Sequence, residues 1–183
     1  MNKLITLLCI LVGGSGFSQD GEKIITRQGT VSFFSYTSVE NIEADNNQVL
    51  SIIDLKEQKI AVQILLRAFV FKKALMEEHF NESYVESDIY PKLEFSGLID
   101  DFDSSAPSVQ TKMVKGTMNF HGVQKDVEIK TKIENTSGEY TLSGDFEVGI
   151  SDYEIKVPPL LAPNIAKTIK IMFRFEYEPY EEK

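Results

Sequence analysis

The chain has 183 residues, 42% of them apolar, and a formal net charge of −9. That length fits one domain, and the apolar share supplies a real core and excludes the disordered class. The acidic balance repels phosphate backbones, so no nucleic acid is expected as a partner, and it disfavours docking on anionic membranes through charge alone.

The first residues read as a leader. Lys3 precedes an apolar run from Leu4 to Val12, and Gly13 to Ser18 is small and flexible, with Gly16 and Ser18 placed for a cut before Gln19. The run is too short to span a bilayer core of roughly 30 Å as a helix. The expected division is a signal peptide at 1–18 and one domain at 19–183, periplasmic or secreted, with no transmembrane segment in the mature chain. Cys9, the one cysteine, falls in the leader, and Leu8 before it does not suit lipoprotein cleavage. The mature chain then has no disulfide and relies on its core.

Apolar and polar residues alternate from end to end, the signature of half-buried strands. Asp54 to Lys59 separates two early strands. Ile60 to Phe71 reads as one strand with Ile60, Val62, Ile64 and Leu66 on one face. Its other face holds Ala61, Leu65, Phe69 and Phe71 beside Gln63 and Arg67, so both faces are expected to be covered. Lys72 to Tyr84 is the one helix candidate and the expected cover, with Leu75, Met76, His79, Phe80 and Tyr84 at helical spacing.

Leu93, Phe95 and Ile99 then face away from Lys92, Glu94 and Ser96. Asp100 to Ser108 is a polar loop. Val114, Met118 and Phe120 share a face, as do Val127, Ile129 and Ile133, and His121-Gly122 marks the hairpin between them. After a second hairpin at Ser137-Gly138, Tyr140, Leu142, Gly144, Phe146, Val148 and Ile150 alternate with polar residues. The prolines at 158, 159 and 163 cannot continue a strand interior, and a short helical turn is expected at Asn164 to Lys167. Ile169, Ile171, Phe173, Phe175 and Tyr177 line one face of the last strand, with Met172 the exception on the other. The reading is a mainly β chain of about eight strands and a short helix, as a sandwich or a closed barrel. Eight antiparallel strands can close around one small apolar ligand.

Groups with chemistry are few. The two histidines are His79 and His121, and no Gly-x-Ser-x-Gly elbow stands in the mature chain. Glu77, Glu78, His79 and Glu82 read as a solvated helix face rather than a metal site, and His121 as a turn residue. Asp100-Asp101-Phe102-Asp103 lacks the glycine and closing glutamate of a calcium loop. No catalytic residue, metal ligand or cofactor is assigned, and the chain is read as not an enzyme. Residue chemistry alone leaves a packed core and a lipid cavity equally open.

Three pieces carry a family resemblance: His79 in the helical stretch, Tyr90-Pro91-Lys92-Leu93-Glu94-Phe95, and the run Gly116, His121, Gly122, Val123 and Val127. In this order and behind a leader they resemble the YceI-like family. The resemblance implies a lipocalin-like, eight-stranded antiparallel β-barrel with a short helix, holding a polyisoprenoid, quinone or fatty-acid-like lipid without covalent chemistry. Transport or storage of that lipid is the implied role, and a ligand-free envelope-stress or interaction protein with a filled barrel is the alternative. The bound lipid is the one ligand implied, an apolar small molecule is the expected partner, and a homodimer is allowed. Taking one apolar face per strand, the expected ligand contacts are Ile64, Leu66, Phe95, Met118, Phe120, Ile129, Leu142, Phe146, Phe173 and Phe175.

Overall fold

The computed structural model describes residues 23–36, 41–157 and 166–181. The expected leader with Cys9, the proline segment and the first half of the turn expected at Asn164 to Lys167 lie outside them. The strands in chain order are β1 (Lys23–Ser35), β2 (Ile42–Asp54), β3 (Lys59–Leu65), β4 (Val70–Phe71), β5 (Lys92–Ile99), β6 (Gln110–Phe120), β7 (Val123–Thr136), β8 (Glu139–Gly149) and β9 (Thr168–Pro179). Every pairing is antiparallel. The order runs β1-β9-β8-β7-β6-β5-β3-β2, and β1 pairs again with β2, which closes an eight-stranded barrel. The two-residue β4 only flanks β2, through Ala44 opposite Phe71 and Asp45 opposite Val70.

Closure requires sharp bending. The β1 register shifts on both sides of Gly29, a bulge that lets one strand serve two neighbours. Gly97 and Gly116 sit opposite each other in β5 and β6. A Cβ on Gly116 would collide with the Ser96 carbonyl oxygen and stand 2.5 Å from the Gly97 Cα, so only glycine fits there. At the β6–β7 hairpin His121 and Gly122 have φ of 53° and 77°. Both central residues are left-handed, the backbone that a tight two-residue turn between twisted strands demands.

The expected long strand from Ile60 to Phe71 is corrected. β3 ends at Leu65, and Leu66–Ala68 forms a 3₁₀ turn before β4. The turn breaks the two-residue period, so Leu66, Phe69 and Phe71 all bury, whereas Ala61 and Leu65 stay exposed. The outer face of β3 is therefore not covered. The helix candidate is shorter than its pattern: α1 spans Ala74–His79, and Phe80–Tyr84 continues as a π-helical turn. A helix this short does not hold itself together in water. Phe80 anchors it, with ring centroids 5.5 Å from Phe33, 5.6 Å from Phe69 and 5.1 Å from Phe71.

The loop after β5 is also more than polar. Phe102 is 4% exposed and plugs the barrel end near Tyr140, at a centroid distance of 6.5 Å. Polar bonds hold the plug: Gln58 Nε2 donates to the Phe102 carbonyl at 2.7 Å and the Tyr140 hydroxyl donates to the Ser104 carbonyl at 2.9 Å. Ile24, Ile53, Leu55, Ile99 and Ile133, all buried, complete an apolar packed layer at this end.

Candidate functional site

Above that layer the barrel is hollow. The register puts the ends of β1, β3, β6 and β8 and the starts of β2, β5, β7 and β9 at the opposite end, where α1 lies. A cavity of about 410 Å³ opens there, within the size range of small-molecule pockets. Its floor can be read strand by strand: Val114 of β6, Ile129 and Thr131 of β7, Leu142 of β8 and Phe175 of β9 line it. The next inward residues down, Ile133, Tyr140 and Tyr177, belong to the packed layer instead.

The ten contacts expected from the alternation (Ile64, Leu66, Phe95, Met118, Phe120, Ile129, Leu142, Phe146, Phe173 and Phe175) all line this one cavity. They differ in depth. Leu66, Met118 and Leu142 are each 2% exposed and form its packed wall, whereas Phe120, Phe146 and Phe173 are half-buried. Neighbouring rings set the wall's shape: Phe146 and Phe173 meet edge to face at 6.3 Å, and Phe173 lies 5.4 Å from Phe175. Sequence reasoning missed the contribution of the covering segment. Met76, His79, Phe80, Tyr84 and Val85 line the cavity from the helix side, and Ile150 and Ile155 from the turn after β8. The helical spacing of Met76, His79 and Phe80 was the available signal, because one face of α1 had to be buried.

No Lys, Arg, Asp or Glu lines the cavity among the described residues; its polar groups are Ser35, His79, Tyr84 and Thr131. Thr131 spends its proton on the Lys112 carbonyl at 3.1 Å. Burial raises the Tyr84 hydroxyl above the ordinary tyrosine range and keeps it neutral. Ser35, His79 and Tyr84 all belong to the helix end.

His121 does more than ease a turn. Its Nδ1 lies 3.0 Å from the Tyr153 carbonyl oxygen and its Nε2 3.0 Å from Glu86 Oε2. The ring also packs on Tyr90, at a centroid distance of 4.5 Å. A carbonyl and an ionised carboxylate only accept, so the ring makes both bonds when it carries both protons. It ties the segment after α1 and the turn after β8 to the β6–β7 hairpin. Tyr153 itself is buried against Phe120 at 5.3 Å.

Among the described residues no group of three or more His, Cys, Asp or Glu could hold a metal ion. No described helix is long and apolar enough to cross a membrane.

Comparison with known proteins agrees with this geometry. The family model of the YceI-like domain matches residues 23–177. A polyisoprenoid binding domain from Saccharophagus degradans, implicated in plant cell wall breakdown, superposes with a TM-score of 0.74 at 13% identity, over 87% of this chain and 99% of that one. BcnA of Burkholderia cenocepacia gives 0.69 at 13% identity, over 82% and 96%. The YceI protein of Campylobacter jejuni gives 0.58 at 15%, over 80% and 90%. At these identities the structures share the fold. A search of curated proteins finds no match.

Proposed function

The chain belongs to the YceI-like domain family, and we propose that its barrel is a non-enzymatic binding site for a long apolar ligand, carried or stored after export. One observation carries the reading: a cavity of about 410 Å³ with no charged side chain in its lining among the described residues. Water in such a space finds few hydrogen-bond partners, so an apolar chain displaces it at little cost. Each methylene group it buries contributes about 0.8 kcal/mol. Ten would supply about 8 kcal/mol before ordering costs, enough for tight binding with few polar contacts. Kinship to a polyisoprenoid binding domain supports an isoprenoid or similar lipid as the ligand class. The contacts proposed are the ten wall residues named above. The leader expected at 1–18 supports a periplasmic or secreted site of action.

The test is mass spectrometry of an organic extract from the mature protein purified without detergent. A stoichiometric long-chain species is expected. An empty extract, followed by failure to take up added quinones, prenols and fatty acids, would overturn the reading in favour of a ligand-free interaction protein.

A further inference from the structure

The barrel wall is split along one seam through its hollow half. β6 and β7 pair as far as Phe120 opposite Val123, and β8 and β9 as far as Gly149 opposite Thr168. β7 and β8 pair only from Thr136 opposite Glu139 to Thr131 opposite Gly144. Thr131 lines the cavity floor, so this seam ends where the cavity begins. Beyond it, residues 123–130 of β7 and 145–149 of β8 have no partner across the seam among the described residues. The β2–β3 seam also stops early, after Leu50 opposite Gln63. There the chain fills the gap: Asn46 Nδ2 donates to the Leu65 carbonyl at 2.8 Å, and β4 pairs with Ala44 and Asp45. No described residue does this between β7 and β8.

The slot has a frame. Its lower edge is the last pair, Thr131 and Gly144. Its upper edge is the turn after β8, which reaches across to the β6–β7 hairpin. The Tyr153 carbonyl oxygen lies 3.0 Å from His121 Nδ1, and Asp152 Oδ1 lies 3.6 Å from Lys125 Nζ. The inner lips are apolar: Ile129 on β7 and Phe146 and Val148 on β8 all line the cavity. The outer lips are charged. Continuing the register would set Glu128 directly opposite Glu147, both exposed. Like charges so placed destabilise a strand pair. Their lysine neighbours, Lys115 in β6 and Lys170 in β9, stand on the far sides and not in the slot. Water can satisfy the unpaired backbone of both edges, so an open seam costs little.

Two routes into the cavity differ in what they break. Lifting the cover would part Phe80 from Phe33, Phe69 and Phe71. Passage between β7 and β8 leaves that cluster whole and moves an apolar chain over apolar lips. Resting on the proposed binding function, we infer that the ligand enters and leaves sideways, through the slot between β7 and β8, with the cover in place.

The test bridges the slot. The mature chain expected after cleavage has no cysteine, so Glu128→Cys with Glu147→Cys can be tied by a short bis-maleimide. Glu43→Cys with Lys72→Cys, an ion pair at 2.7 Å in the parent, ties the start of the cover to β2 instead. Stopped flow follows uptake and release of cis-parinaric acid, a polyene fatty acid that fluoresces in apolar sites, and farnesol displaces it as a second probe. The untied double variants are the references, and urea unfolding confirms that each protein is folded. Bridging the slot should slow both rates by about tenfold or more and leave the Kd within about threefold, whereas tying the cover should leave the rates within about twofold. A smaller effect of the slot bridge, or an equal slowing by the cover tie, would overturn the sideways route while leaving the binding function standing. A parent protein that binds neither probe would remove the binding function itself, and the route with it.

Discussion

Phe146→Glu is the substitution that most directly probes the hollow barrel. Phe146 is half-buried in the cavity wall, opposite Ile171 in β9 and edge-on to Phe173. Among the described residues a carboxylate there has no Lys or Arg in the lining to pair with, so it draws water into the apolar space. If about four methylene groups of a bound chain stay hydrated beside it, the loss is about 3 kcal/mol, or about 200-fold in affinity. The control is the next residue. Glu147 points outward, opposite Lys170, and Glu147→Gln should leave affinity within about twofold, because exposed charges contribute little. The assay is calorimetric titration with farnesol, with urea unfolding to confirm that each variant is folded. A folded Phe146→Glu protein that binds farnesol within about threefold of the parent would refute the placement of the ligand along this wall.

Two further outcomes follow from single side chains. Burial pushes the Tyr177 hydroxyl well above the ordinary tyrosine range. Ser51 spends its own proton on the Ala61 carbonyl, so Tyr177 is the donor between them. The folded chain therefore keeps a proton that the unfolded chain releases above about pH 10, and stability present below that value falls as pH rises, by up to about 1.4 kcal/mol per pH unit. Tyr177→Phe should cost about 1 kcal/mol at neutral pH and flatten that alkaline decline in urea unfolding; parallel curves would count against the assignment. His121→Ala cuts both ties between the hairpin and the covering segments. Amide exchange over residues 79–90 should speed up by about tenfold, while the β7–β8 amides near Ile133 and Tyr140 hold steady, because opening there is local. Equal rates at both ends would mean that the ring does not brace the cover.

Much of this architecture could be read before any coordinates, because it rests on a single rule. Side chains in a strand alternate faces, so the inward set of each barrel strand follows from its hydrophobic pattern. Ile169 to Tyr177 and Tyr140 to Ile150 needed nothing more. The hairpins at His121-Gly122 and Ser137-Gly138 were legible because left-handed backbone favours such pairs. The misreadings came where the period broke. The 3₁₀ turn at Leu66–Ala68 turns Phe69 and Phe71 inward, and no local residue pattern announces that phase change. The segment Asp100 to Ser108 reads as a polar loop because the burial of Phe102 depends on Tyr140 and Gln58, remote in sequence. The partners of His121 are equally remote: Glu86 and Tyr153 meet it through the barrel's closure and not through any motif.

Why this barrel is hollow at one end and filled at the other also turns on those remote contacts. Both halves obey the same alternation, and both are lined by Phe, Ile, Leu and Val. At the packed end, the loop after β5 sends Phe102 inward, and Tyr140 and Tyr177 bring large side chains to meet it. At the helix end, the aromatic anchor of the cover, Phe80, packs against other rings of the wall. It joins Phe33, Phe69 and Phe71 in a cluster of four rings to one side of the mouth. Aromatic pairs of this kind contribute about 0.5 to 1.5 kcal/mol each beyond their buried area, enough to seat a helix of under two turns. The cover is thus held by rings of the cavity wall, since Phe33, Phe69 and Phe80 all line it, and not by a side chain that fills the space. A lid anchored by filling the barrel would have to leave before a ligand could enter. Anchored at the side, it can stay in place while the space beneath it is occupied.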